Sequence, residues 1–439
     1  MNSNFKRWTE HLSAECVDMR VDLRYGEGFL PLELSHRFIV EQVIPQVVTK
    51  HPNPPSELLR VIESPTDSPP FSHRVSEVDS VVIVVNRIEQ HELVEELLHS
   101  LLNNVETFSF NPDNVAIIYP LYPEERTPHG EVDDLLGNPE SRGHLLHLHQ
   151  PSKNESLKYV GDTPSNSTPV HVNECYLSAD MKIGLGEVRP DVFYGATGGR
   201  MSVIPSVSGL RTINRNTKLR ATGDIGHFNL DSISCVDMLE ISRLAGLDFI
   251  INYVSDWQGN LAHIVAGEPY SSWLSGVDYS KSLAKAEYTK RADIAVVSAG
   301  GSPNDSTLYD AIDCLSAACE VTEYGGSIVL VAECAENLGP KGFLRGMSEF
   351  SSEVEVTTAA ESDFEIGMEK ARFFWNVLHS RNVVICSRLR ESLVEERLHC
   401  TPVKDPQEGI EVAQNMLAAS KKVAILNDGL RTKPILSIK

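Results

Sequence analysis

The sequence is poor in positive charge, in long apolar runs and in paired cysteines, and each shortage excludes something. Lysine and arginine number 39 against 61 acids, a formal net charge of −22. A phosphate backbone is met with Lys and Arg, so this balance argues against nucleic acid and against anionic membrane surfaces. Nowhere do about 18 apolar residues run together, as a spanning helix would need. The N-terminal MNSNFKRWTEHLSAECVDM has no apolar core of signal-peptide length. The expectation is a cytoplasmic protein. Eight cysteines (Cys16, Cys175, Cys235, Cys314, Cys319, Cys334, Cys386, Cys400) are scattered without a CxxC pair, which fits buried thiols in a reducing compartment. No G-x-S-x-G elbow is present for Ser-His-Asp chemistry.

What remains is an ordinary globular composition, 41% hydrophobic and 23% charged over 439 residues, enough for two cores. The all-apolar run Val81 to Val85 reads as a strand covered on both faces. A helix follows over Glu92 to Leu102, then a strand over Val115 to Tyr119, then a helix capped by Thr127 and Pro128 that ends near Leu136. Residues 150 to 170 are a polar connector. Strand text resumes at Lys182 to Leu185, and Ser234 to Ala245 (helix) and Asp248 to Val254 (strand) follow. A second unit alternates a helix at Tyr279 to Lys290, a strand at Ala292 to Ser298, a helix at Leu308 to Glu320, strands at Ser327 to Ala332, Val383 to Cys386 and Lys422 to Leu426, and a helix at Gln407 to Ala419. Upstream, one helix is expected around Glu33 to Val48. This rhythm is that of an α/β fold with two α/β domains, residues 1–275 and 276–439, with a return of the last strand to the first left open. An active cleft would lie between them.

The densest stretch is Gly186 to Arg220, GEVRPDVFYGATGGRMSVIPSVSGLRTINRNTKLR. Its glycines Gly195, Gly198 and Gly199 can take positive φ and bring backbone N–H groups close to an anion. The segment resembles the core motif of the nickel-dependent lactate racemase family in Pro190, Gly195, Gly198, Gly199, Ile204, Pro205, Gly209, Thr212, Ile213 and Asn216. SAGGSPND (Ser298 to Asp305), the segment Gly325 to Gly339, the text VGDTPSNSTPVHVNECYLSADMKIGLGEV and the N-terminal LRYGEGFLPLEL are also similar to family segments, so the likeness covers most of residues 20 to 435.

The resemblance implies a two-domain racemase-like fold whose cleft holds a pincer nucleotide, tethered through a lysine, with a histidine on its nickel. The reactive letters differ here. Asp191 stands at the position of a catalytic histidine, Met201 at the tethering lysine and Thr217 at the nickel-ligating histidine. Tyr122 replaces a second catalytic histidine, Glu89 an arginine, and Tyr309, Asp310 and Asp313 occupy a tyrosine, glutamine and lysine triplet of which only the tyrosine is kept. No cofactor is therefore expected, and no metal; Asp310 and Asp313 lack a third ligand.

The candidate site is Asp191, Tyr122, Tyr309 and Asp313 for proton transfer, with Arg200, Gly198, Gly199, Asp310 and Thr217 for substrate. A carboxylate in a partly dry cleft has a raised pKa and can act as general acid or base; an arginine can hold a carboxylate in a fork. Against this, Arg200 could simply bridge Asp191 or Asp313 in a closed cleft. The functional expectation is an isomerase, racemase, epimerase or lyase acting by side-chain acid-base chemistry on a small 2-hydroxy-acid-like carboxylate. The alternatives are a non-catalytic small-anion-binding or regulatory paralogue, and a racemase with an untethered nickel-pincer cofactor. His144, His147 and His149 are expected to be structural, since in a strand only the last two share a face.

Overall fold

A computed structural model describes residues 17–86, 91–108, 114–121, 129–417 and 422–437. Two six-stranded sheets organise them. The first runs Leu261–Gly267, Phe249–Ser255, Met181–Glu187, Val81–Val85, Val115–Pro120, Leu145–His149. It is parallel except for Leu261–Gly267, which turns back antiparallel on its neighbour. The second, wholly parallel, runs Thr401–Val403, Asn382–Cys386, Thr322–Val331, Ala292–Ser298, Lys422–Leu426, Ile39–Gln42.

Both sheets bury both faces, as their unbroken apolar strands require. In VVIVV, Val81, Ile83 and Val85 enter one core while Val82 and Val84 enter the core on the other side. The second sheet divides likewise: Ile294 and Val296 face one way, Ala295 and Val297 the other. Period-two alternation thus separates two buried surfaces rather than a wet one from a dry one.

Three expectations change. Glu33 to Val48 is not a helix: Val17–Tyr25 and Gly28–Ser35 form a hairpin and Ile39–Gln42 is a strand. The alternation of MRVDLRY and FLPLELS, which buries Val21, Leu23, Leu32 and Leu34 against the second sheet, outweighs helix propensity. Residues 17–42 therefore pack with the second unit, although the sequence reading put them in the first. The helix expected from Tyr279 instead spans Pro269–Leu283, with Glu268 accepting from the N–H groups of Tyr270 and Ser271 as its cap. Lys285–Tyr288 is then a strand, paired with Lys433–Leu436. Among the described residues no helix is long and apolar enough to cross a membrane.

The two units meet along a seam that buries charge. Arg431, from the second, donates to Glu187 at 2.8 Å in the first and lies 3.3 Å from Asp428; all three are nearly fully buried. Ser255 donates to the other oxygen of Glu187. Elsewhere Phe193 meets Phe373 edge to face at 5.7 Å, and Lys218 and Arg372 donate to the carbonyls of Glu361 and Gly223.

Removing one partner of a buried ion cluster leaves the others uncompensated, which costs about 3–5 kcal/mol. Arg431→Met should lower stability by that amount in urea denaturation, and adding Glu187→Gln should restore part of it. A loss below about 1 kcal/mol would show that the seam does not depend on these charges.

Candidate functional site

The segment from Gly186 to Arg220 is shaped by close approach. Pro190–Asp191 pairs with Gly195–Ala196 in a two-residue hairpin. Asp191 closes the turn: one carboxylate oxygen accepts from the N–H groups of Phe193 and Tyr194 at 2.8 and 2.7 Å, and the other lies 3.9 Å from Arg189. Gly198 and Gly199 have φ of +80° and +51°. A Cβ on Gly199 would lie 2.6 Å from the Trp273 ring, which is pinned by its indole N–H on the Thr197 carbonyl. The Gly199 N–H donates to Asn252 Oδ1 at 2.8 Å. The amide expected to cradle an anion is thus already bonded, and the loop is held to the first sheet.

Arg200 is 5% exposed. Its guanidinium stacks 4.1 Å from the Trp273 ring and donates to the Tyr194 carbonyl. It makes no ion pair with Asp191 or Asp313, and its Nε finds no partner among the described residues. Burial drags its pKa down, opposed by Cys235 and Asp191.

RTINRNTKLRAT lies in the helix Leu210–Thr222, with Asn216 and Thr217 buried. Asn216 donates to Asp237, which also accepts from Thr163 and Thr168. Thr217 accepts from Arg220 at 2.6 Å. Arg220, which the sequence reading missed, stacks 4.2 Å from the Tyr194 ring, and its Nε has no partner among the described residues. Burial works against its charge, but Tyr194 and Glu369 outweigh it and hold the pKa above the ordinary value.

Across the seam, Tyr309 donates to Glu369 at 2.6 Å. Lys370 lies 4.1 Å from the Tyr309 ring, donates to the Tyr309 carbonyl, and sits 2.8 and 2.9 Å from the two oxygens of Asp313. Burial pushes the Asp313 pKa up to about 7; Lys370 opposes this, while Asp191 and Asp310 add to it. Burial also raises Tyr309 far above the usual phenol range, with Glu369 adding to it. Asp310 accepts from Thr307 as part of a helix cap. Asp310 is thus engaged in a helix cap and Asp313 with an ammonium, and no group of three or more His, Cys, Asp or Glu placed for a metal occurs among the described residues.

The structure thus brings Asp191, Tyr309 and Asp313 toward one seam with Arg220, Glu369 and Lys370, three residues the sequence reading passed over. Glu369 and Lys370 lie in MEKARFFW, where adjacent charges beside a large apolar run were the available signal. Tyr122 and Glu89 lie outside the described residues. His149 is structural, bonded to the Ser208 carbonyl and Asn173; His144 meets Glu106 at 3.0 Å. Cys334 is buried, and burial holds its thiol far above the usual range.

Profiles described as the lactate racemase N-terminal and C-terminal domains match residues 25–224 and 288–432. The chain belongs to the lactate racemase family. The lactate racemase of Lactiplantibacillus plantarum is 24% identical over 430 residues, 93% of this chain and 98% of that protein. That of Thermoanaerobacterium thermosaccharolyticum is 24% identical over 294 residues, 64% of this chain and 68% of the relative. The lactate racemase apoprotein structure from the latter organism superposes with a TM-score of 0.81 at 21% identity, covering 95% of this chain and all of that one. A Thermotoga maritima protein gives 0.62 at 14% identity, over 83% and 97% of the two chains.

Two positions where the resemblance led to the expectation of a tethering lysine and a ligating histidine are engaged otherwise here. Met201 offers no amine for a thioamide, and its side chain packs with Val203 and Ile204 in the core beside the first sheet. Thr217 offers no imidazole, and its hydroxyl accepts from a guanidinium.

Gly199→Ala should cost about 2–4 kcal/mol, from left-handed backbone and the Trp273 clash together. Thermal unfolding should report this, with a shifted Trp273 emission; an unchanged midpoint would show that the loop has room to spare.

Proposed function

We propose that this chain is an isomerase of the lactate racemase family that moves a proton at the carbon beside the carboxylate of a small 2-hydroxy acid, using side chains alone. The observation that carries this is the Asp313 carboxyl, nearly buried at the seam with its two oxygens 2.8 and 2.9 Å from the Lys370 ammonium, where burial pushes its pKa up to about 7. A group poised near neutrality can both accept and return a proton. In this reading Asp313 takes or gives the α-proton, and the electron pair left on carbon spreads into the carboxylate as an enediolate. Lys370, in contact with Asp313, and Arg220, stacked on the Tyr194 ring, supply the positive charge that would offset the growing negative charge. Asp191 and Tyr309 shape and orient the site. Elimination of water from the same enediolate is the neighbouring reaction, decided by whether a hydroxyl leaves before the proton returns.

A second reading, a non-catalytic receptor for a small anion, is favoured by Arg200: a buried guanidinium with no carboxylate at ion-pair distance among the described residues. In the first reading this arginine orients the substrate carboxylate.

The test is exchange of the α-proton for deuterium, followed by proton NMR over a panel of (R)- and (S)-2-hydroxy acids in D2O. Wild type should exchange at least one pair. Asp313→Asn should lower the rate about 100-fold or more. In the direction that uses Asp313 as base, the wild-type kcat/KM should rise as pH passes through about 7, and Asp313→Asn should lose that limb. Binding of an acid with no exchange would favour the receptor. Protein made without added nickel and dialysed against a chelator should keep its full rate; restoration only by nickel would overturn the side-chain mechanism.

A further inference from the structure

One buried carboxylate at the seam has no part in the proton transfer proposed above. Glu369 lies in the first turn of the helix Met368–Ser380 and is 3% exposed. Both of its oxygens accept. Oε1 takes the Tyr309 hydroxyl at 2.6 Å, and Oε2 takes the N–H of Gly367, the residue capping the helix, at 2.9 Å. A helix N-terminus favours the ionised carboxyl, and an ionised carboxylate only accepts. The phenol hydrogen of Tyr309 is therefore spent on Glu369. What the phenol oxygen has left for a ligand is its lone pairs.

The Tyr309 side chain is held in place without help from Glu369. Lys370 Nζ lies 4.1 Å from the ring centre, and Phe343 meets the ring edge to face at 6.3 Å. Gly339, with φ of +90°, passes so close that a Cβ there would lie 2.6 Å from the Tyr309 Cβ. Tyr309 stays partly exposed, and the ammonium that covers its ring also touches both oxygens of Asp313. The phenol and the proton-transfer carboxyl thus meet the same cation by direct contact.

We infer that Glu369 is a positioning residue that sets ligand specificity. By taking the phenol hydrogen it makes Tyr309 an obligate acceptor, so the site selects a ligand bringing a hydroxyl at carbon 2 over the 2-oxo acid of the same shape. This rests on the 2-hydroxy-acid reading above. A hydroxyl donates to the Tyr309 oxygen. A keto oxygen set against it brings two acceptors together and leaves both unpaired.

Glu369→Gln reverses this polarity while keeping the shape. The Gly367 N–H still needs an acceptor, so the amide oxygen stays there and its NH2 group faces the phenol. That group donates to the phenol oxygen, and the phenol hydrogen turns to the ligand. Titration calorimetry with matched pairs, each enantiomer of lactate against pyruvate and of 2-hydroxybutanoate against 2-oxobutanoate, reads the result. Wild type should bind one hydroxy acid at least about 10-fold more tightly than its oxo partner. Glu369→Gln should bind that oxo acid about 10-fold more tightly than wild type does, a gain that damage to the fold does not produce. Tyr309→Phe should erase the preference, and adding Glu369→Gln to it should change nothing further. If wild type binds both members of every pair equally, or Glu369→Gln leaves the preference unchanged or weakens both members alike, this inference fails while the proposed function stands. If wild type neither binds nor exchanges any acid of the panel, the function itself fails and this inference with it.

Discussion

Charge taken out of water between the two sheets must be matched there, and this constraint shapes the rest of the molecule. Arg431 answers Glu187 and Asp428, Lys370 answers Asp313, and Tyr309 donates to Glu369. Arg431 and Asp428 share one turn, the other pairs join side chains from different elements, and the Arg431–Glu187 pair joins the two units. Such pairs stabilise little against apolar replacements, but they are costly to break. They specify how the units meet more than how firmly. The Asp313–Lys370 pair shows the balance at its closest: burial pushes the carboxyl toward neutrality while an ammonium under 3 Å away pulls it back, and burial prevails. Because the folded state raises this pKa, its stability contribution is full at acid pH and is lost as pH rises through about 7.

The architecture was legible where one force dominates. VVIVV, VAIIY and IAVVS could only be strands buried on both faces, and the helices over 92–102 and 234–245 follow from apolar spacing. Legibility failed where two local signals compete. Residues 33–48 carry enough helix formers to suggest a helix, yet the alternation before them belongs to a hairpin whose partner surface is a sheet some 260 residues away. The break between Pro269–Leu283 and Lys285–Tyr288 was missed for a similar reason: the strand exists because Lys433–Leu436 pairs with it.

The candidate site was legible by half. Asp191, Tyr309 and Asp313 could be named from their places in the motif. Lys370, Glu369 and Arg220 could not, because nothing local marks them. On paper Arg220 belongs to a polar, basic stretch, and only packing of its helix against the second unit desolvates it. The glycine loop gave the opposite error. Its shape was foreseen, but the Gly199 amide expected to hold an anion is spent on Asn252.

The replaced positions are informative through what they now bond to. Thr217 accepts from Arg220, Met201 fills part of an apolar core, and Asp313 meets Lys370 from another helix. Beside these, Nε of both Arg200 and Arg220 is left without a partner among the described residues, so the seam keeps unspent donors. A carboxyl and an ammonium at under 3 Å form a unit able to move a proton and to steady the charge that proton leaves behind.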